Sequence, residues 1–160
     1  MSAAIWESAL VAALVSAAIS LATFSWTSRQ QRLDRHRELF AAAFASVADY
    51  REFVYIVRRR AADGSDRSTI HGELSKVQAA LHRHQAMIRV EAPEVAREYT
   101  ELVRQTRAVA GAEIKRAWGL PGAARDTDMH VTDVDLSSLV SFEDRFLGSA
   151  ERHFKWWRSG

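Results

Sequence analysis

Residues 25–40, "SWTSRQQRLDRHRELF", mark the point where the chain changes character. An apolar run precedes them, and amphipathic, arginine-rich segments follow. No Gly or Pro stands at the join, and the first of either in the chain is Gly64. Without such a breaker, a helix is free to run through the boundary. The fold therefore turns on whether one helix passes here from an apolar environment into water.

Upstream, residues 10–24 read "LVAALVSAAISLATF" and carry no charge. Extended to Ala3 and Trp26, the segment reaches the roughly 20 residues that a hydrocarbon core of about 30 Å requires at about 1.5 Å per residue. Trp6 and Trp26 bracket it, and indole rings favour the two membrane interfaces. Glu7 is the single charge within these limits and sits beside Trp6, in reach of headgroups. A cleaved signal peptide would want a positive n-region, yet residues 1–9, "MSAAIWESA", contain no Lys or Arg. A core helix of a soluble bundle remains the alternative, because Ala and Ser make the run only moderately hydrophobic. The favoured expectation is an anchor over residues 1–28 and a cytoplasmic helical bundle over 29–160.

Charge orients that anchor. Arg29, Arg32, Arg35 and Arg37 follow the span and no basic side chain precedes it. The positive-inside rule then puts the N-terminus outside and the bundle in the cytoplasm. The same arginines can meet anionic headgroups, each worth about 1 kcal/mol close to the surface. Membrane lipid is thus the first expected partner.

At about 100° per residue, Ala9, Ala13, Ser16, Ser20, Thr23 and Thr27 fall on one side of the helix. Leu10, Val11, Leu14, Val15 and Leu21 fall mostly on the other. Small residues at such spacing let helix backbones approach closely. With one span per chain the neighbour comes from another chain, so a homo-oligomer is expected. A pore lined by Ser16, Ser20 and Thr23 is a second reading, and with it a small membrane effector of a defence or toxin type. Glu7 lies on the bulky side, so that pore would lack the usual charged ring.

A seven-residue recurrence crosses the boundary: Ile5, Ala12, Ile19, Trp26, Leu33, Phe40, Val47 and Val54, with Phe44 and Val57 between. Such a repeat keeps one stripe against a partner, in a coiled coil or in a bundle. One helix over residues 3–60 is predicted, on the order of 90 Å long. Arg58, Arg59 and Arg60 are expected to be solvated in its last turns, where cations suit the negative helix end.

"ADGSDRS", 62–68, has loop composition. A second helix is predicted over 68–91, burying Ile70, Leu74, Val77, Leu81, Met87 and Ile88. Pro93 ends it and suits the first turn of a third helix, with Glu94 favourable there. That helix should run to about residue 118 and bury Val95, Tyr99, Leu102, Val109 and Ile114. "GLPGAARDTDMHVTD", 119–133, is the longest irregular stretch. Asp135 makes an N-cap for a fourth helix, whose inner face would be Leu136, Leu139, Val140, Phe146, Leu147, Ala150, Phe154 and Trp157. The expected class is all-α: one transmembrane helix continuing into an antiparallel bundle of about four helices.

Chemistry is sparse. There is no Cys, which excludes disulfides, thiol catalysis and cysteine-ligated zinc. Net charge is +2, so no global field favours nucleic acid. Arginine outnumbers lysine 19 to 3, usage common in GC-rich bacterial genomes and their phages. His82 and His84 are two apart on different sides of a helix, and no H-E-x-x-H or E-x-x-H pair occurs. Asp126, Asp128 and His130 in the long loop read as solvated polar residues ahead of metal ligands. Glu143, Asp144 and Glu151 read as an exposed acidic face. No phosphate loop or nucleophile elbow is present. Neither a catalytic site nor a cofactor is expected.

The tail "HFKWWRSG", 153–160, sets Trp156 and Trp157 among cations, as interfacial segments do. Neighbouring residues cannot share a helix face, so Trp157 is assigned to the core and Trp156 to a membrane or protein contact. The function these features suggest is a membrane-anchored scaffold or interaction module, with a protein partner whose identity the sequence does not give.

Overall fold

The computed structural model describes the backbone of residues 3–122 and 134–159, and the side chains of residues 16, 19–122 and 134–156. Among the described residues there are four α-helices, one 3₁₀ turn and no strand: α1 (Ala3–Arg58), α2 (Arg67–Glu91), α3 (Pro93–Gly119), the turn Ser137–Leu139 and α4 (Val140–Ser159). The chain is all-α, and no residue breaks α1 between its ends. Contacts divide the chain into two units, residues 1–37 and 38–160.

In the second unit the helices alternate in direction. The Tyr99 hydroxyl meets the Ala43 carbonyl, and Arg60 meets the Ala117 carbonyl at 2.9 Å, so this part of α1 and α3 run the same way. Phe40 faces His153, and Phe44 faces Phe146, with Arg51 beside Glu143, so α4 runs against α1. Ala92 turns α2 back into α3. The result is an up-down-up-down bundle of the kind expected.

Its core is apolar and continuous. Val47, Val54, Val57, Leu81, Ile88, Val95, Tyr99, Leu102, Leu139 and Phe146 are essentially inaccessible. Phe146 is the hub of the aromatic packing, edge-on to Phe40 at 6.2 Å and tilted against Tyr99 at 5.3 Å. Such offset and edge-to-face pairs add to the burial of area. The seven-residue row of α1 is exposed at Ile19 and Trp26 and buried from Leu33 onward.

Helix ends follow local chemistry. Ala92 is fully buried, its N–H donates to the Ile88 carbonyl at 2.9 Å, and its own carbonyl accepts from Val95 N at 3.0 Å. Pro93 occupies the first turn of α3 with Glu94, as expected, where a missing N–H is no loss and an anion meets the helix dipole. Gly64 turns the α1–α2 loop with φ +71°, a conformation open to glycine. Asp135 accepts the Ser137 N–H at 2.9 Å and so opens the 3₁₀ turn rather than α4 itself.

Three expectations are corrected. Arg58 and Arg60 are not solvated: Arg58 pairs with Glu113 at 3.7 Å, and Arg60 is 9% exposed. Glu143 is not on an exposed acidic face, because Arg51 covers it. Met87, Val140 and Leu147 point outward, whereas their neighbours Leu139 and Phe146 are buried as expected, and His84, not expected inside, is buried too.

Among the described residues no helix is long and apolar enough to cross a membrane. The side chains of residues 1–15, 17 and 18, most of the expected anchor, lie outside the described residues. So do those of Trp157 and of the loop residues Asp126, Asp128 and His130.

Candidate functional site

Residues 16–37 hold most of the expected site. Ile19, Leu21, Phe24 and Trp26 are 62%, 69%, 72% and 67% exposed. Four large apolar side chains within two turns of one helix make a patch that water solvates poorly. Ile19 and Trp26 lie on one shoulder of the helix, Phe24 on the other and Leu21 at the back, given 100° per residue. Between the shoulders runs the row of Ser16, Ser20, Thr23 and Thr27.

The hydroxyls of Ser20, Thr23 and Thr27 in that row are satisfied by their own helix. Ser20 donates to the Ser16 carbonyl at 2.8 Å, Thr23 to Ile19 at 2.9 Å and Thr27 to Thr23 at 2.8 Å. Ser25 donates to Ala22 at 2.9 Å. Back-bonding of this kind removes the penalty for placing a hydroxyl in an apolar medium. It also leaves the row smooth and small, a surface for van der Waals approach rather than for cross-helix hydrogen bonds. Trp6, Ala9 and Ala13 continue the same helix, with side chains outside the described residues.

The arginine flank begins one turn later. Arg32, Arg35 and Arg37 are exposed and Arg29 is half-buried. Arg37 holds Asp34 at 2.5 Å, one turn apart on the exposed side. Arg32 and Arg35 are exposed, and Arg37 is paired within the helix.

Within the bundle unit, two groups of polar side chains come together that the sequence did not show as groups. The first is buried: Ser46 donates to the Ala43 carbonyl at 2.7 Å, Tyr99 lies 3.3 Å from the Ser46 oxygen, and His84 Nδ1 lies 3.2 Å from it. Tyr99 also donates to the Ala43 carbonyl at 3.2 Å. Donors and acceptors match if His84 is neutral and carries its proton on Nδ1. Burial holds the His84 imidazole below its ordinary range, with the Arg83 charge adding to this. Burial also pushes Tyr99 up to about 12, against the opposing hydrogen bond from Ser46. Both groups are therefore held neutral, which suits a structural clamp between α1, α2 and α3.

The second group opens to the surface as a depression of ≈ 440 Å³, lined by Glu94, Ser149, Arg152, His153 and Trp156. His153 is a buried ring whose Nδ1 meets the Glu94 carboxylate. Ser149 donates to the Phe146 carbonyl at 2.8 Å, so its proton serves the helix. Serine, histidine and glutamate here join α4 to the first turn of α3. Trp156 is 70% exposed at the rim. The signal for His84 and His153 was positional: each falls three or four residues from buried neighbours, Leu81 and Ile88 for one, Ala150 for the other.

Among the described residues no three His, Asp or Glu side chains gather in a way that could hold a metal ion. Comparison with protein families, with curated proteins and with solved structures finds no match for this chain.

Proposed function

We propose that this chain is a membrane-anchored helical scaffold. Residues 1–28 cross the bilayer once with the N-terminus outside, and residues 29–160 form an interaction module on the cytoplasmic face. The anchors of separate chains associate through the row of Ala9, Ala13, Ser16, Ser20 and Thr23. The mechanism is spatial: the anchor confines the bundle to the membrane surface, and packing between chains sets its local concentration.

The observation that carries the reading is the exposed apolar patch at Ile19, Leu21, Phe24 and Trp26, on a helix where Ser20, Thr23, Ser25 and Thr27 already donate to its own carbonyls. The charge-free sequence of residues 8–25 extends that character toward the N-terminus. The exposed arginines that follow supply the flank that retains a span with its basic side inward.

The chain lacks cysteine, so single cysteines report cleanly. Ser16→Cys in native membranes is expected to give a disulfide-linked dimer on mild oxidation, and Leu21→Cys, off the row, much less. Equal crosslinking at the two positions, or monomer at both, would overturn association through the small-residue face. Topology is read separately: Ser2→Cys should react with an impermeant maleimide from outside intact cells, and Ser65→Cys only after lysis. The reverse pattern removes the orientation.

A further inference from the structure

The charges of α2 and α3 are sorted by side. At about 100° per residue, Arg67, His71, His82, Gln85 and Arg89 fall on the side of α2 that meets α3. Three contacts fix that side. His71 stacks on Trp118 at 4.9 Å, His82 Nε2 lies 3.3 Å from Arg107 Nη1, and Gln85 donates to the Thr100 hydroxyl at 3.1 Å. The carboxylates of α2, Glu73 and Glu91, fall on the opposite side. On α3, Arg97, Arg104, Arg107 and Lys115 fall toward α2. Glu94, Glu98 and Glu101 fall toward α4: Glu94 meets His153 there, and Glu98 and Glu101 border Arg145 across a depression of ≈ 620 Å³ that Arg89, Arg97 and Thr100 also line. Glu113 turns to Arg58 of α1.

The α2–α3 seam is thus edged by exposed cations, Arg67, Arg89, Arg97, Arg104, Arg107 and Lys115. Two of them are balanced from the flank: Arg97 reaches Glu98 at 2.9 Å and Arg104 reaches Glu101 at 2.6 Å. Arg67, Arg89, Arg107 and Lys115 make no ion pair with any described residue. Asp66, at the head of α2, accepts the Ala61 N–H instead. Arg107 has a ring nitrogen of His82 where other arginines of this surface have a carboxylate. Cations in a row, with their counter-charges moved to other faces, leave a local positive field although the chain as a whole carries only +2.

The register set by the three contacts places Arg89, Arg107, Lys115 and Arg67 in that order along the seam, about 10 Å apart. Carboxylates seven residues apart on a helix repeat at roughly the same interval, two turns. A nucleic-acid duplex carries a charge every ~1.7 Å of its axis, far denser than these cations, and would meet Glu98 and Glu101 on the flank. Trp118 is also taken as a stacking surface, by His71 and by the Arg60 and Arg67 guanidiniums. We infer that the α2–α3 seam is the docking surface of the bundle for an acidic helix of a partner protein, whose carboxylates, two turns apart, meet Arg89, Arg107, Lys115 and Arg67. This names the partner class of the interaction module proposed above and rests on that reading, but not on the anchor, since every residue concerned lies within 38–160.

The test titrates the full chain, in neutral detergent, into a fluorescein-labelled helix of Ala and Gln that carries a Glu every seventh residue. Salt is held at about 0.1 M, where charges more than about 10 Å apart are screened from one another. Anisotropy should show saturable binding, about tenfold weaker for the same peptide with Gln in place of Glu. Arg89→Glu with Arg107→Glu should weaken binding of the acidic peptide by about tenfold. Arg83→Glu, exposed on the outward side of the same helix, should change it by less than about twofold. Circular dichroism melts accompany each variant, and if the reversed pair melts early, Arg89→Gln with Arg107→Gln should still give a several-fold loss. No binding, equal binding of the two peptides, or an equal loss in Arg83→Glu overturns docking on this seam. A DNA strand bound more tightly than the acidic peptide, with the same loss in the reversed pair, assigns the seam to nucleic acid and overturns the protein partner. The anchor is read separately by crosslinking at Ser16→Cys and labelling at Ser2→Cys, so either can fail while the other stands.

Discussion

Ser46 and Tyr99 share the Ala43 carbonyl, and His84 joins them through the Ser46 hydroxyl. Each ionisable group here has a definite effect on stability. The His84 imidazole is held below its ordinary value of about 6.5 by burial and by Arg83, so the unfolded chain binds its proton first. Stability from this group is complete above about 6.5 and declines as pH falls toward the folded value. Tyr99 has the opposite sign: pushed up to about 12, it contributes below about 10 and loses that contribution as pH rises toward 12. Urea midpoints of the chain in detergent should therefore fall on the acid side in the wild type and fall less in His84→Gln. Tyr99→Phe should flatten the alkaline limb while lowering the neutral midpoint by about 1 kcal/mol, the usual worth of a buried hydrogen bond. Thr106 offers a contrast: it is fully buried and its hydroxyl has no hydrogen-bond partner. Thr106→Val keeps the shape and removes an unsatisfied group, so it should stabilise by about 1 kcal/mol in the same measurement. His84 and Thr106 are also where sequence periodicity reads least. A histidine or threonine in an apolar register looks polar until its partner, on another helix, is known.

At the scale of the element, the third helix was the most legible. Val95, Tyr99, Leu102 and Ile114 keep helical spacing and are all buried, and Pro93 opens the helix. Along α4 the apolar residues occupy more than one face, so spacing alone did not separate buried Phe146 from exposed Leu147. Leu147→Gln should leave stability within about 0.5 kcal/mol, as surface changes do. Phe146→Ala should cost about 4 kcal/mol. Arg60 was illegible for a different reason. Its guanidinium reaches the Val57 carbonyl at 2.8 Å, Ala117 at 2.9 Å and also that of Leu120, with Trp118 5.2 Å away as a cation–π partner. It thus closes the ends of α1 and α3 together, a task visible only after both helices are placed. Arg60→Met should destabilise by about 2 kcal/mol through lost charged hydrogen bonds, and Arg59→Met, at an exposed pair, by far less. Gly122 marks another close approach: a Cβ there would lie 2.8 Å from the Ala61 carbonyl oxygen. Gly122→Ala should accordingly loosen the segment after α3, seen as faster amide exchange at Ala61 and Ala62.

At the scale of the molecule, the bundle was expected from the scarcity of Gly and Pro and from the four periodic segments, and the reversals from α1 to α2 and from α2 to α3 follow from short connections. The exposed apolar residues of the bundle carry a weaker signature in sequence. Trp156 stood out because two Trp are adjacent, whereas Val90 is one valine among many and becomes notable only by its exposure. The apolar patch of residues 19–26 and the arginines after it make sense together if the helix leaves the membrane between them. On that view the bundle is held at the surface, and its concentration there, rather than any chemistry of its own, is what function acts through. The most direct measurement is extraction of membranes containing the full chain with alkaline carbonate, followed by sedimentation. The chain should remain in the membrane pellet, and replacing Leu14 and Ile19 together by Arg should move it to the supernatant. Wild-type chain recovered quantitatively in the supernatant without detergent would contradict the anchor and every statement built on it.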